Sequence, residues 1–528
     1  MAALIASLES LLKCEAWPAH DCERGVQGEE RDGMAEMKEC IIGVDAGTAS
    51  VKGLLVDASG TIVATASAPI RLSTPRPGWA EQNPEDWWKA TIQVLDTLTV
   101  DRNLEILAVS ISGQMHSLVP LDAAGDVVRP AILWCDQRTQ QECVELTEAC
   151  GGEQEVIKVF GNPVLTGFTA PKLLWLRTNE PDNFARIARF CLPKDYLVLK
   201  LTGRLAIEPS DASGTSLYRV REGVWDDHIL DVLTVQRSML PDLVGVGSVI
   251  GAITCLNLPR LNGVPVVAGG ADNAASAFGC GVEKPGDTVV SLGTSGTVVA
   301  VTATPSPDLT GRVHLFSHVT KDCYYHMAVI LSAAGALDWF RQRFAQNLSY
   351  GRIEEMVGQS PVGSNGVVFL PYLNGERTPH RDPDARGVLY GMSSFNSQGD
   401  ILCAVHEGVI FALREGAESI ADMGTPMTNV RVVGGGSRSR LWCQMLADNF
   451  GTPIWSPLVD EGAAYGSARL AANAVGLDTS RWVKLVERYD PDASRRQQYD
   501  PWFAQYKALY KVLKEQFKDT RRLAERRS

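Results

Sequence analysis

At 528 residues, 45% of them apolar and 21% charged, the chain is too long for a single core and too apolar for disorder, which points to two domains flanking a cleft. Its 62 acidic residues outnumber 50 basic ones, for a net charge of −12. That balance excludes a broad nucleic-acid surface and an anionic-membrane anchor, so any phosphate must be bound locally.

Residues 1–38 are mixed in character, carry the run "GEERDG" and read as a loose extension, with Met37 as an alternative start. Glu9 interrupts the first apolar stretch and no basic start precedes it, so no export signal is read there. From Ile41, "IIGVDAGTASVKGLLVD" reads as a strand, a Gly turn and a second strand, and "TIVATASAPI" adds a third. A helix is expected to open at Pro84 in "PEDWWKATIQVLDTLTV". "ILAVSISG" then reads as a strand ending in "QMHS", and "AILWCDQRT" as another ending in polar groups. Strands and helices alternate, so the class is α/β. After Pro285-Gly286, "DTVVSLGTSGTVVAVTA" repeats the opening hairpin plan and suggests a duplicated domain. "VRVVGGGSRSRLWCQMLADNF" reads as strand, triple glycine and helix, with Ser437 or Ser439 as the cap. The small residues of "EGAAYGSARLAANAVG" suit a helix lying close to another backbone, and Trp502, Tyr506, Leu509, Leu513 and Phe517 form the packing face of a last helix. The expected division is an extension over 1–38, a first domain over 39–285, a second over 286–480 and a helical tail over 481–528.

Twelve cysteines show no CxxC or zinc-like spacing, which suits buried thiols in a reducing cytoplasm. No apolar run approaches the roughly 20 residues that span a bilayer. Three glycine-rich turns can bring backbone N–H groups to a phosphate: around Gly47, at Gly293–Gly296 and at Gly434–Gly436. None matches the Walker pattern or a dinucleotide fingerprint. A nucleoside triphosphate held by hairpin loops fits better. Asp45 then stands beside the phosphates, where it would hold Mg2+ through water, with Thr48 and Lys52 in support; Lys52 is equally readable as a solvated strand residue. Asp272, with Asn273 behind it, is either a helix cap or the base that takes a proton from an attacking hydroxyl. Gln114, Met115, His116 and Ser117, joined by Trp134 and Asp136, suit a polyhydroxylated ligand, although a lone His also reads as a satisfied interior residue.

Together, "GVDAGTASVKGLLVD", "SGQMHS", "GFTAPKLLWLRTNEP", "LPKDYLVLKLTG", "SDASGTSLY", "GGADNAASAFG", "SLGTSGT", "LPYLNGERTPHRDPDARG" and "VVGGGSRSRLWCQMLAD" resemble the FGGY carbohydrate kinases of the actin-like ATPase superfamily, in the family's order over residues 41–475. The resemblance implies two actin-like, ribonuclease H-like ATPase domains closing on a cleft, with sugar mainly on the first and ATP mainly on the second. It makes Asp272 the catalytic base, Asp45 the acid of the first phosphate loop, and Met115 and His116 sugar contacts, with Gln114, Trp134, Asp136 and Asn273 around them. Gly47, Thr48 and Lys52, the second loop Gly293, Thr294, Ser295, Gly296 and Thr297, and Gly435, Gly436 and Ser437 are implied to hold ATP. The implied reaction is ATP- and Mg2+-dependent phosphorylation of a small ketose, D-xylulose at its 5-hydroxyl, in pentose catabolism. Another ketose or polyol such as ribulose is the alternative, and an actin-like chaperone or filament ATPase is the alternative of a different class. Neither nucleic acid nor membrane is an expected partner, and a homodimer stays open. The extension and the residues Cys135 and Gln137 depart from the family pattern.

Overall fold

The computed structural model describes residues 37–525 apart from residue 102; of the extension expected over 1–38, residues 1–36 lie outside them, and Lys38 already belongs to the first strand. Two sheets organise the rest. In the first, β1 (Lys38–Ala46) turns back into β2 (Ser50–Asp57), and β2 pairs with β3 (Ile62–Pro69), all antiparallel. The apolar run of β1 is buried almost throughout, as a central strand covered on both faces requires. Parallel β4 (Leu104–Gly113) and β6 (Pro265–Ala271) follow, and antiparallel β5 (Val249–Ala252) closes the edge, giving the order β3-β2-β1-β4-β6-β5.

The second sheet repeats this order. β7 (Asp287–Leu292) and β8 (Gly296–Thr302) form the matching hairpin, β10 (Tyr324–Ile330) takes the place of β3, and parallel β11 (Asn429–Val433) and β12 (Ile454–Pro457) take the places of β4 and β6. β13 (Leu485–Tyr489) is the antiparallel edge, and one extra strand, β9 (His314–Ser317), extends the other side. The duplication expected from two hairpins therefore extends to all six strands of the first sheet. Residues 485–489, expected within a helical tail, instead complete the second sheet.

Helix α1 (Pro84–Leu98) starts where Pro84 predicts, because Asn83 accepts the Glu85 N–H and buried Trp87 anchors the first turn. Further helices are α2 (Thr169–Asn179), α3 (Pro193–Thr202), α4 (Asp272–Gly279), α5 (Gln398–Ala421), α6 (Arg440–Phe450), α7 (Gly462–Ala474) and α8 (Ala493–Glu525). Ser439, not Ser437, caps α6 by accepting the Trp442 N–H. The small residues of α7 serve close approach: a Cβ on Gly43 of β1 would collide with the Ala464 carbonyl, and one on Gly466 would collide with Ala275 of α4. Thus α7 sits directly on β1 and α4. On α8, Tyr499, Phe503 and Tyr506 pack against Phe411 of α5, and Phe517 is buried further along.

"AILWCDQRT" is a strand only over Ala131–Ile132. Asp136 N–H donates to Leu133 O and turns the chain there, so the polar end of that segment is a turn. Among the described residues no helix is long and apolar enough to cross a membrane.

Candidate active site

Asp45 is the penultimate residue of β1, opposite Lys52 on β2 and Ser112 on β4. Its Oδ1 accepts the Ser112 hydroxyl at 3.0 Å. Burial pushes its carboxyl up, against the opposing pull of Ser112 and Lys52. Asp272 opens α4 directly after β6, two strands away in the same sheet. Burial, then the nearby charge of Asp45, raises it to about 7, although it accepts the Asn273 N–H at 2.7 Å and the Asn273 side-chain amide at 3.0 Å. Burial, with a carboxylate nearby, gives Asp272 an affinity for protons near neutrality, as a general base requires.

The turn that follows Asp45 is closed by Gly47 N–H to Ser50 O. Thr48 does not stand alone: its hydroxyl donates to Gln114 Oε1 at 3.3 Å and accepts from Trp134 Nε1 at 2.9 Å, while Gln82 Nε2 donates to its carbonyl. Gln114, Trp134 and the first loop therefore form one network, with Ser117 donating to Gln114 as well.

His116 has the left-handed φ of 70°, uncommon for a residue with a side chain. Its carbonyl accepts both Thr169 Oγ1 and Lys172 Nζ at 3.0 Å, from successive turns of α2. Its ring stacks on Phe168 with centroids 4.4 Å apart, and Nδ1 lies 2.6 Å from Gly214 O. A Cβ on Gly214 would stand 2.6 Å from that nitrogen, so glycine is required there. Burial lowers the imidazole to about 3, which leaves it neutral and unsuited to accept the reaction's proton. The neighbouring Met115 is buried, its Sδ 4.0 Å from the Asn273 amide, and so joins the "QMHS" strand end to Asp272.

A buried cation, Lys194, lies close by, and the charge of Asp272 reaches its partner Asp211. Lys194 pairs with Asp195 at 2.7 Å, Asp211 at 3.3 Å and Glu208 at 3.9 Å. Burial opposes its charge, but those three carboxylates hold the ammonium well above its ordinary range. Glu208 accepts the Ser210 hydroxyl, and Ser210 Oγ accepts the Ala271 N–H, so this cluster fixes the residue before Asp272. Nothing in the sequence spacing distinguished Lys172 or Lys194 from surface lysines; their burial inside helices was the missing signal.

On the second sheet, Gly293 and Thr294 carbonyls accept the N–H groups of Ala334 and Ala333, tying the β7–β8 turn to the helix that begins there. Gly434, with φ of 90°, packs against the Leu292–Gly293 backbone, which brings the triple glycine beside that turn. Gly435 borders open space, and Ser437 folds back to donate to Gly434 O. Among the described residues no hydrogen bond joins Gly47 or Thr48 to Gly293–Thr297. Lys52 is not free; it pairs with Glu461 just before α7.

Asp136 requires a correction. It is fully buried, Oδ2 accepts the Ala80 N–H at 2.6 Å, and both oxygens accept from Arg138. Those bonds fill its acceptors, so it organises the turn and is not placed to bind a sugar. Arg138, two residues on, was the legible sign.

Residues 40–279 match the N-terminal domain, and residues 288–475 the C-terminal domain, of the FGGY family of carbohydrate kinases. The chain is 38% identical to the xylulose kinase of Bacillus subtilis (strain 168) over 482 residues, which is 89% of this chain and 96% of the relative. A solved structure described as a xyloylose kinase from Brucella ovis is 36% identical, with a TM-score of 0.84 over 90% of this chain and 99% of that one. The gluconate kinase of Lactobacillus acidophilus superposes equally well, with a TM-score of 0.86 at 26% identity over 90% of this chain and 98% of that one.

Proposed function

The chain belongs to the FGGY family of carbohydrate kinases, and from that membership we propose that it transfers the γ-phosphoryl group of ATP to the 5-hydroxyl of D-xylulose. Kinases of this family use ATP on a small sugar substrate. Because kinases for different sugars share this backbone, the choice of D-xylulose rests on the relative at 38% identity and on "GQMH". The observation that carries the chemistry is Asp272, a carboxyl raised to about 7 within reach of Asn273, whose amide touches Met115.

In the proposed reaction, Asp272 takes the proton of the 5-hydroxyl as its oxygen attacks the γ-phosphorus, and the bond to the β,γ-bridging oxygen breaks to release ADP. Backbone N–H groups of the 47–48 and 293–297 turns face the charge that spreads over the phosphoryl oxygens. Gly435, Gly436 and Ser437 lie against the nucleotide, residues 39–285 hold the sugar, and 286–480 hold ATP. His116, neutral and fixed by Lys172 and Thr169, orients the ketose with Met115, while Trp134 offers an exposed ring to its carbon skeleton.

Among the described residues no group of three or more His, Cys, Asp or Glu side chains is arranged to hold a metal. The single carboxylate of Asp45, with Asp272 near enough to feel its charge, fits a Mg2+ carried by nucleotide phosphates and kept largely hydrated. When bound there, Mg2+ would neutralise developing phosphoryl charge.

The test is ADP release measured with a panel of ketoses and polyols, including D-xylulose and D-ribulose. D-xylulose is expected to give the largest kcat/KM. Absence of stimulation by every ketose, in folded protein with excess Mg2+, would end this reading.

A further inference from the structure

Arg377 is a cation without a partner. No hydrogen bond from its guanidinium and no ion pair to it exists among the described residues, although the side chain is only partly reachable by solvent. Burial alone lowers its proton affinity. The adjacent carboxyl does not compensate: Glu376 Oε1 accepts the Arg377 backbone N–H at 3.0 Å, Oε2 has no partner, and burial holds this acid well above the usual carboxylate range. A half-buried guanidinium with no ion pair is partly desolvated and keeps its donors free for an anion.

Its backbone locates it at the boundary between the two halves of the site. Three residues earlier, Asn374 Nδ2 donates to Ser332 Oγ, and the next two N–H groups, of Ala333 and Ala334, hold the Thr294 and Gly293 carbonyls. One residue later, Thr378 bonds in both directions with Val329, which stands opposite Thr297 in the β8–β10 register. The guanidinium's charge reaches the His116 and His314 rings, which flank Phe316 with centroids 6.0 and 5.8 Å from it. Arg377 thus lies between the 293–297 turn and His116.

We propose that Arg377 is a binding residue for a phosphoryl dianion, gripping the group in transit between nucleotide and sugar from the side of the second sheet. The identity of that group as the γ-phosphoryl rests on the kinase reading; the existence of an anion site does not. The planar fork of arginine matches phosphoryl oxygens in pairs, and the absence of a competing carboxylate leaves all its donors available.

The experiment compares wild type with R377M and R377K. Thermal melts are recorded with inorganic phosphate, with a non-hydrolysable ATP analogue and with D-xylulose 5-phosphate, and kinetics are measured with MgATP and D-xylulose. R377M is expected to melt no lower than wild type, because an uncompensated charge is removed, and to lose the stabilisation that phosphate gives wild type. Its kcat should fall on the order of 10²–10³ with less change in the ketose KM, and guanidinium ion in solution should restore part of it. R377K should fall less. Loss of stabilisation by the ATP analogue alone identifies the donor phosphate, and loss with the sugar phosphate alone identifies the product. The proposal is overturned if R377M keeps kcat within threefold of wild type, if it responds to phosphate as wild type does, or if it melts well below wild type. If wild type shows no ketose-dependent ADP release, the kinase reading fails while the phosphate melts still decide the anion site.

Discussion

Replacing Asp272 by Asn keeps the shape and the acceptor for the Asn273 N–H but removes the titration. A carboxyl moved from 3.8 to about 7 is disfavoured as an anion in the folded protein by roughly 4 kcal/mol. Some solvent still reaches it from the cleft, so about 2–4 kcal/mol is the expected range. The sign follows from the raised folded value. The burdened state is the anion, so the cost is absent below the unfolded value, near pH 4, grows between pH 4 and 7, and is complete above 7. Asp272→Asn should therefore unfold at higher denaturant concentration than wild type at pH 8 and at the same concentration near pH 4. Activity should move oppositely: wild-type kcat/KM for D-xylulose should rise with pH through about 7, and the variant should lose that limb and about 10²–10⁴ in kcat. Denaturant titrations at the two pH values and steady-state ADP release measure both effects. A variant within tenfold of wild type, or one no more stable at pH 8, refutes the assignment of Asp272 as a buried base.

Lys172→Met removes an amine donor to the His116 carbonyl, one that burial lowers to about 7. It should raise the ketose KM roughly 10- to 100-fold with little change in the ATP KM, read from paired substrate titrations. Gly43→Ala drives a methyl into the Ala464 carbonyl and should cost about 1–3 kcal/mol, measured by denaturant unfolding. Chelation of Mg2+ should abolish ketose-dependent ADP release without shifting the melting of the apoprotein, since no described cluster of side chains depends on the metal.

The hairpins, their glycine turns and the Asn83 cap were legible because each depends on residues close in sequence. The duplication was visible for the same reason: two β-strand, glycine, β-strand runs can be compared directly. What the sequence hid were contacts set by the tertiary fold. Lys172 meets a carbonyl 56 residues away, and nothing in "APKLLW" marks the lysine as buried. Arg377 is legible only as part of a motif; its lack of a partner is a three-dimensional fact. Asp136 misled because a strand-end acid beside aromatic residues looks alike whether it meets a sugar or an arginine two positions on.

Asp45 and Asp272 stand on strands of one sheet, or just beyond them, and α7 presses on β1 and α4 through glycine and alanine contacts that leave no room for a side chain. Their separation is consequently fixed by backbone packing and does not depend on closure of the cleft. The 293–297 turn, the triple glycine and Arg377 all hang from the second sheet. The Lys52–Glu461 ion pair joins the first hairpin to the segment before α7. The charge that helps raise Asp272, that of Asp45, belongs to the same sheet, so this part of its electrostatics lies within one half. On the proposed mechanism the second half contributes the phosphoryl group and the cationic charge, so proton removal and phosphoryl transfer become coupled only when both substrates bring the halves together. On the same mechanism, water reaching Asp272 without a ketose would meet the base but a poorly placed phosphorus, so ATP hydrolysis without ketose is expected to be slow.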